Sequence, residues 1–161
     1  MKYEDLLIEA DENNLITKEK PLPISKGRIK GNRIAIRKDL TETEKGCILA
    51  EELGHYHTSV GDILSMGNTQ NRKQEMLARM WGYNRLIGLY GIIDCYKAKC
   101  QNTFEMAEHL NVTEEYLIEA LESYRRKYGE YVQLDNYVIY FEPNLSVLEL
   151  INESTSTNTN E

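Results

Sequence analysis

Cys47-Ile48-Leu49-Ala50-Glu51-Glu52-Leu53-Gly54-His55-Tyr56-His57 gathers two of the chain's three histidines and two adjacent carboxylates in one short run. Upstream, Thr41 and Glu44 stand at capping-box spacing. There the Thr oxygen accepts an orphan amide of the first turn and the Glu side chain reaches back, so a helix is expected to start near Thr41. Ile48, Leu49 and Leu53 give that helix an apolar stripe, and Thr58-Ser59-Val60-Gly61 brings the β-branched residues and glycine that should end it. Glu51 and His55 lie four residues apart, about 40° from one another around a helix axis, and so face a common centre.

A carboxylate and an imidazole so placed form a two-ligand clamp. The string reads E-E-x-x-H, the H-E-x-x-H spacing of zinc proteases with Glu in the first ligand position, and zinc accepts carboxylate oxygen as well as imidazole nitrogen. Glu52 then stands where the general base of that motif sits. A third ligand must come from elsewhere, and Glu75 is the strongest candidate. Ala78 and Gly82, three and seven residues on, line its helix face with small side chains that let another helix approach. Three protein ligands leave one position open for a water, whose proton Glu52 would take during attack on a carbonyl. On a continuous helix His57 points about 200° away from His55 and would join the set only beyond the helix end. Asp62 would join it if the loop from Thr58 to Gly61 folds back.

Plainer readings stand beside this one. Glu51, Glu52 and His55 also suit a solvated helix face, and Glu75 also suits a surface pair with Arg79 at i+4. Cys47 reads as a small buried hydrophobe. Cys95 and Cys100, at i and i+5, suit neither a zinc clip nor a ready disulfide, and His109 reads as structural.

Outward from this run, the 161 residues fit one compact domain or one with a small appendage, at 41% hydrophobic and 28% charged. A net charge of −7 argues against a general nucleic-acid or anionic-membrane binder. Three cysteines without a CxxC pair exclude a Cys-rich zinc module and suit a reducing compartment. The acidic start Met1-Lys2-Tyr3-Glu4-Asp5 lacks the apolar run of a signal peptide, so the chain is expected to be cytoplasmic.

Leu6, Leu7 and Ala10 predict a short helix over Tyr3 to Ala10, and Arg28 to Arg37 reads as two strands around Gly31-Asn32 with Ile29, Ile34 and Ile36 inward. Lys26, Arg28, Lys30, Arg33, Arg37 and Lys38 in this hairpin, with no acid between them, read as edge protection. If that edge lies beside the ligand helix, it could also receive an extended segment by strand addition. A third helix is expected from about Asn71 to Ile87 with Leu77, Met80, Trp81 and Asn84 at helical steps, and Gly88 and Gly91 mark its end or a kink.

Thr103 to Leu110 and Thr113 to Tyr128 read as helix, turn, helix, capped by Thr113 and stopped by Gly129. Tyr131 to Phe141 reads as a terminal hairpin around Asp135-Asn136, and the polar run Asn152 to Glu161 as disordered. The second of these helices opens with Glu114 and Glu115, which phosphate would repel, so a DNA-reading role is disfavoured. Nine of eleven tyrosines lie from Tyr83 onward, which suits either a protein interface or a core.

The run Cys47 to Asp62, followed by Glu75-x-x-Ala78, resembles the ImmA/IrrE family of metallopeptidases, most closely the versions carried by prophages and mobile elements of Gram-positive bacteria. The resemblance is strongest over residues 41–88. It implies a zincin-like α+β metallopeptidase domain, taken over 1–98, to which the chain's own pattern adds a helix-turn-helix-like C-terminal part with a β-hairpin over 99–143 and a flexible polar tail over 144–161. It also implies a metal-dependent endopeptidase that cleaves or inactivates a helix-turn-helix repressor, with zinc, or manganese, held by Glu51, His55 and Glu75, and with Glu52 catalytic. Neither nucleic acid nor membrane is an expected partner. The alternative is a non-catalytic antirepressor that keeps the fold and acts by binding its repressor.

Overall fold

The computed structural model describes residues 1–59 and 68–151. Helix α1 (Tyr3–Glu12) buries Leu6 and Ala10, and a three-stranded sheet follows: β1 (Ile16–Lys20), β2 (Gly27–Lys30) and β3 (Arg33–Arg37) in the order β1-β3-β2. Strands β2 and β3 are antiparallel around Gly31, whose φ of 60° is the left-handed conformation that a tight turn asks of glycine. Ile34 and Ile36 turn inward and are buried, with Ile29 packed against the same cluster. Strand β1 pairs parallel to β3, with Thr17 opposite Ile34, and was not expected from the sequence. Beyond Ile16 its residues are polar, and all but Thr17 are exposed, so no hydrophobic alternation announces it.

Helix α2 (Glu42–Thr58) starts at the expected cap: the Thr41 side chain accepts from the Glu44 amide while the Thr41 amide donates to the Glu44 carboxylate at 2.9 Å. It packs on α1, on the inner face of the sheet and, over its longest contact, on α3 (Asn68–Leu86). The expected helix forms, but of the residues at its helical steps Leu77 and Asn84 are exposed. The helix instead buries Ala78, Gly82, Tyr83 and Leu86. Small residues decide this face because α2 comes too close for large ones. A Cβ on Gly54 of α2 would overlap the Ala78 carbonyl oxygen, and one on Gly82 would stand 3.2 Å from the Ala50 carbonyl oxygen.

A separate helix α4 (Gly88–Lys97) follows, where the sequence suggested only an end or a kink. Gly88 takes φ 63°, which breaks α3, whereas Gly91 sits buried inside α4, with Leu110 close by. Helices α5 (Thr103–Leu110) and α6 (Glu114–Tyr128) are separated by Asn111 in the left-handed region. Thr113 caps α6 and Gly129 ends it. Strands β4 (Tyr131–Leu134) and β5 (Tyr137–Tyr140) are antiparallel, and β6 (Ser146–Glu149) pairs with β5. Pairing therefore continues past Pro143, into the stretch from 144 that reads as a polar tail. Val147 of β6 packs against the core, which gives the short strand its anchor. Residues 152–161 lie outside the described residues. Buried side chains from α1 to Phe141 form one hydrophobic cluster, and among the described residues no helix is long and apolar enough to cross a membrane.

Candidate metal centre

The residues singled out in the sequence converge at the α2–α3 contact. Glu51 and His55 come from α2 and Glu75 from α3, and one donor atom from each lies within 4.8 Å of the others. His55 Nε2 is 3.2 Å from a Glu75 carboxylate oxygen. Gly54, Ala78 and Gly82 are what allow this, because they let the two backbones approach closely enough for side chains of ordinary length to meet.

Glu52 is 7% exposed, the one buried charged residue among those described. Its place against the sheet is shaped by Gly27 of β2, where a Cβ would stand 3.0 Å from Glu52 Oε1. Burial, then the charges of Glu51 and Glu75, push its carboxyl up to about 7. The Glu51 carboxyl is also raised, first by burial and further by its Glu75 neighbour, against the opposing pull of Arg79. The charge of Glu75 thus bears on both Glu51 and Glu52, an accumulation of acid that favours a cation.

Arg79 is the cation found there. Its Nε lies 3.2 Å from Glu75 and 3.7 Å from Glu51, so it bridges the two carboxylates. The sequence offered Arg79 only as the i+4 partner of Glu75, and its reach to Glu51 depends on the helix packing. A cavity of about 300 Å³ adjoins Glu51 and Arg79, lined further by Lys26, Tyr116 and Glu119. The donor set, one imidazole nitrogen and two carboxylate oxygens on two rigid helices, fits a zinc or manganese ion by chemistry and by spacing.

His57 does not join the cluster. Helix α2 runs on through Thr58, so His57 stays on the helix, turned to Trp81, with which it stacks at 4.6 Å between ring centroids. Asp62 lies outside the described residues. Cys47 is buried and its thiol is pushed up to about 11 by that burial, which suits the packing role expected of it.

Comparison with curated proteins and with solved structures returns no match. Residues 11–138 match the family model described as IrrE N-terminal-like domain, a stretch that holds all four site residues. The chain therefore belongs to the IrrE N-terminal-like domain family of metallopeptidases.

Proposed function

We propose that the chain is a cytoplasmic metal-dependent endopeptidase that cleaves or otherwise inactivates a helix-turn-helix transcriptional repressor of a prophage or mobile element, and so derepresses that element. The observation that carries the reading is the convergence of Glu51, His55 and Glu75 beside the buried Glu52, in a chain of a metallopeptidase family. Glu51, His55 and Glu75 would hold zinc or manganese. When bound, the ion supplies a Lewis acid that acidifies water and polarises a carbonyl.

The remaining steps belong to the protein. Glu52, buried beside the ligand cluster, would accept a proton from the attacking water and return it to the departing amide nitrogen. Strand β2 lies at the edge of its sheet with Gly27 beside Glu52, which suits an extended substrate segment added along that edge. Arg79 would release Glu51 and Glu75 to the ion. The partner in this reading is a protein, with neither nucleic acid nor membrane engaged by the catalytic centre.

One observation favours a second reading. Arg79 already pairs with both carboxylates, and only one imidazole is present, so the cluster holds a cation of its own without a metal. A non-catalytic antirepressor would keep that arrangement and act by binding. Incubation of the protein with the repressor encoded in the same element, with and without zinc or manganese, separates the two. The peptidase reading expects fragments that depend on metal and vanish with Glu52→Gln. Derepression by Glu52→Gln without fragments at any metal concentration would leave binding alone.

A further inference from the structure

Residues 16–38 carry eight of the chain's nineteen Lys and Arg against a single acid, a local charge of +7 in a chain whose total is −7. The pleat sorts these charges. Glu19, the one acid, turns away from the outer face and bonds Tyr3 and Lys45 of the helical layer. Lys18, Lys20, Arg28, Lys30 and Arg33 stand on the solvent face of the β1-β3-β2 sheet, opposite the helices, around a concavity of about 350 Å³.

Edge protection accounts for only part of this. Arg33 and Arg37 are on β3, the central strand, which has no open edge to guard. The register sets Lys30 opposite Arg33 and Lys20 opposite Arg37, and like charges directly across strands are destabilising. Arg37 is relieved by Asp39 at 2.9 Å. Among the described residues, none of Lys18, Lys20, Arg28, Lys30 and Arg33 forms an ion pair, whereas Lys45, Arg79, Arg85, Arg125 and Arg126 all do.

The floor of the concavity is aliphatic. Ile16 is 47% exposed and Leu22 half-buried, and Ile24, in the loop beyond Leu22, is 95% exposed. No aromatic ring lines the face, so it lacks the stacking platform of single-stranded nucleic-acid binders. The apolar area is also small for insertion into a bilayer. Cations around aliphatic side chains complement carboxylates spaced by aliphatic side chains.

We propose that the solvent face of the β1-β3-β2 sheet is a docking surface for an acidic, aliphatic-containing segment of a partner polypeptide. Carboxylates of the segment would pair with Lys18, Lys20, Arg28, Lys30 and Arg33, and its aliphatic residues would cover Ile16 and Leu22. The surface lies across the sheet from α2, so the inference holds whether or not Glu51, His55 and Glu75 bind metal.

The test is fluorescence anisotropy on the full chain with a labelled peptide of four Leu-Glu-Glu repeats. Its comparisons are a Ser-Glu-Glu peptide of equal charge, a DNA oligonucleotide of similar charge, and vesicles containing phosphatidylglycerol. The Leu-Glu-Glu peptide is expected to bind tighter than all three. The double variant Arg28→Glu with Lys30→Glu should weaken it about tenfold, from two attractions lost and two repulsions gained. Lys18→Gln with Lys20→Gln, which only neutralises, should weaken it about threefold. Lys97→Glu with Lys99→Glu, outside the sheet, should leave it unchanged. Thermal melts of each variant confirm folding. Peptide affinity that ignores the Arg28 and Lys30 reversal and the Lys18 and Lys20 neutralisation overturns the proposal. DNA or vesicles binding as tightly as the peptide would overturn it in favour of a phosphate-bearing partner.

Discussion

Where α2 meets α3 the contacting residues are the smallest available, Gly54 against Ala78 and Gly82 against Ala50, and the contact brings two carboxylates and an imidazole together. Where α6 meets the second sheet they are among the largest. Tyr124 is fully buried, and the Tyr128 and Phe141 rings stack at 6.2 Å. Tyr124 also accepts a hydrogen bond from the Gly88 amide through its hydroxyl at 3.2 Å. At Tyr124 the aromatic region gains apolar burial and a satisfied hydroxyl together. The small-residue contact gives up side-chain burial to bring Glu51, His55 and Glu75 within reach of one another, and it holds like charges close. The difference separates two kinds of contact: large buried rings in one, and small residues that bring ionisable side chains together in the other.

Substitutions should break this contrast in order of size. Tyr124→Ala removes a fully buried ring, and a loss of about 4 kcal/mol is expected by chemical denaturation, with metal affinity of the remaining folded protein unchanged. Gly54→Ala should cost about 3 kcal/mol by overpacking and, unlike Tyr124→Ala, should also abolish metal binding, because α2 and α3 must move apart. If Gly54→Ala loses stability but retains metal affinity, the close approach is not what assembles the cluster.

The buried carboxylate gives the contrast a pH signature. In the metal-free protein the Glu52 pKa of about 7 lies above its ordinary value of 4.5. The folded chain therefore holds a proton that the unfolded chain has lost, and stability falls as pH rises from the lower value through the upper. The full penalty, about 3 kcal/mol, is present above pH 7. Glu52→Gln should remove it, so that the metal-free variant melts higher than the wild type at pH 8 and matches it at pH 4. Equal melting temperatures at pH 8 would show that burial of Glu52 carries no such cost.

The smallest effects concern the caps, which both regions share. Thr41→Ala on α2 and Thr113→Ala on α6 should each cost about 1 kcal/mol in a thermal or urea melt. A much larger loss at Thr41 would mean that the start of α2 is coupled to the charged cluster rather than merely capping the helix.

The parts of the molecule legible in the sequence are those whose signals are local. Thr41 with Glu44, Gly31 in its turn, and the i,i+4 relation of Glu51 and His55 depend on a few neighbouring residues, and the structure keeps each of them. Strand β1 was illegible because Ile16-Thr17-Lys18-Glu19-Lys20 is held by pairing with β3, across a loop, and not by an apolar face. The buried face of α3 was not legible because hydrophobic periodicity looks for large residues, while the helix contact selected Ala78 and Gly82. The role of Arg79 between Glu51 and Glu75 likewise arises only once two helices are in place. Glu75, by contrast, could be singled out because small residues follow it at helical spacing, a signal that a stripe of leucines would have hidden.

The central claim is that Glu51, His55 and Glu75 together hold one divalent ion. Calorimetric titration of chelator-treated protein with zinc, for the wild type and for Glu75→Ala, tests it most directly. The account predicts one site per chain in the wild type and an affinity at least about a hundredfold weaker in the variant. A wild type that takes up no metal, or a variant that binds as tightly as the wild type, would contradict it.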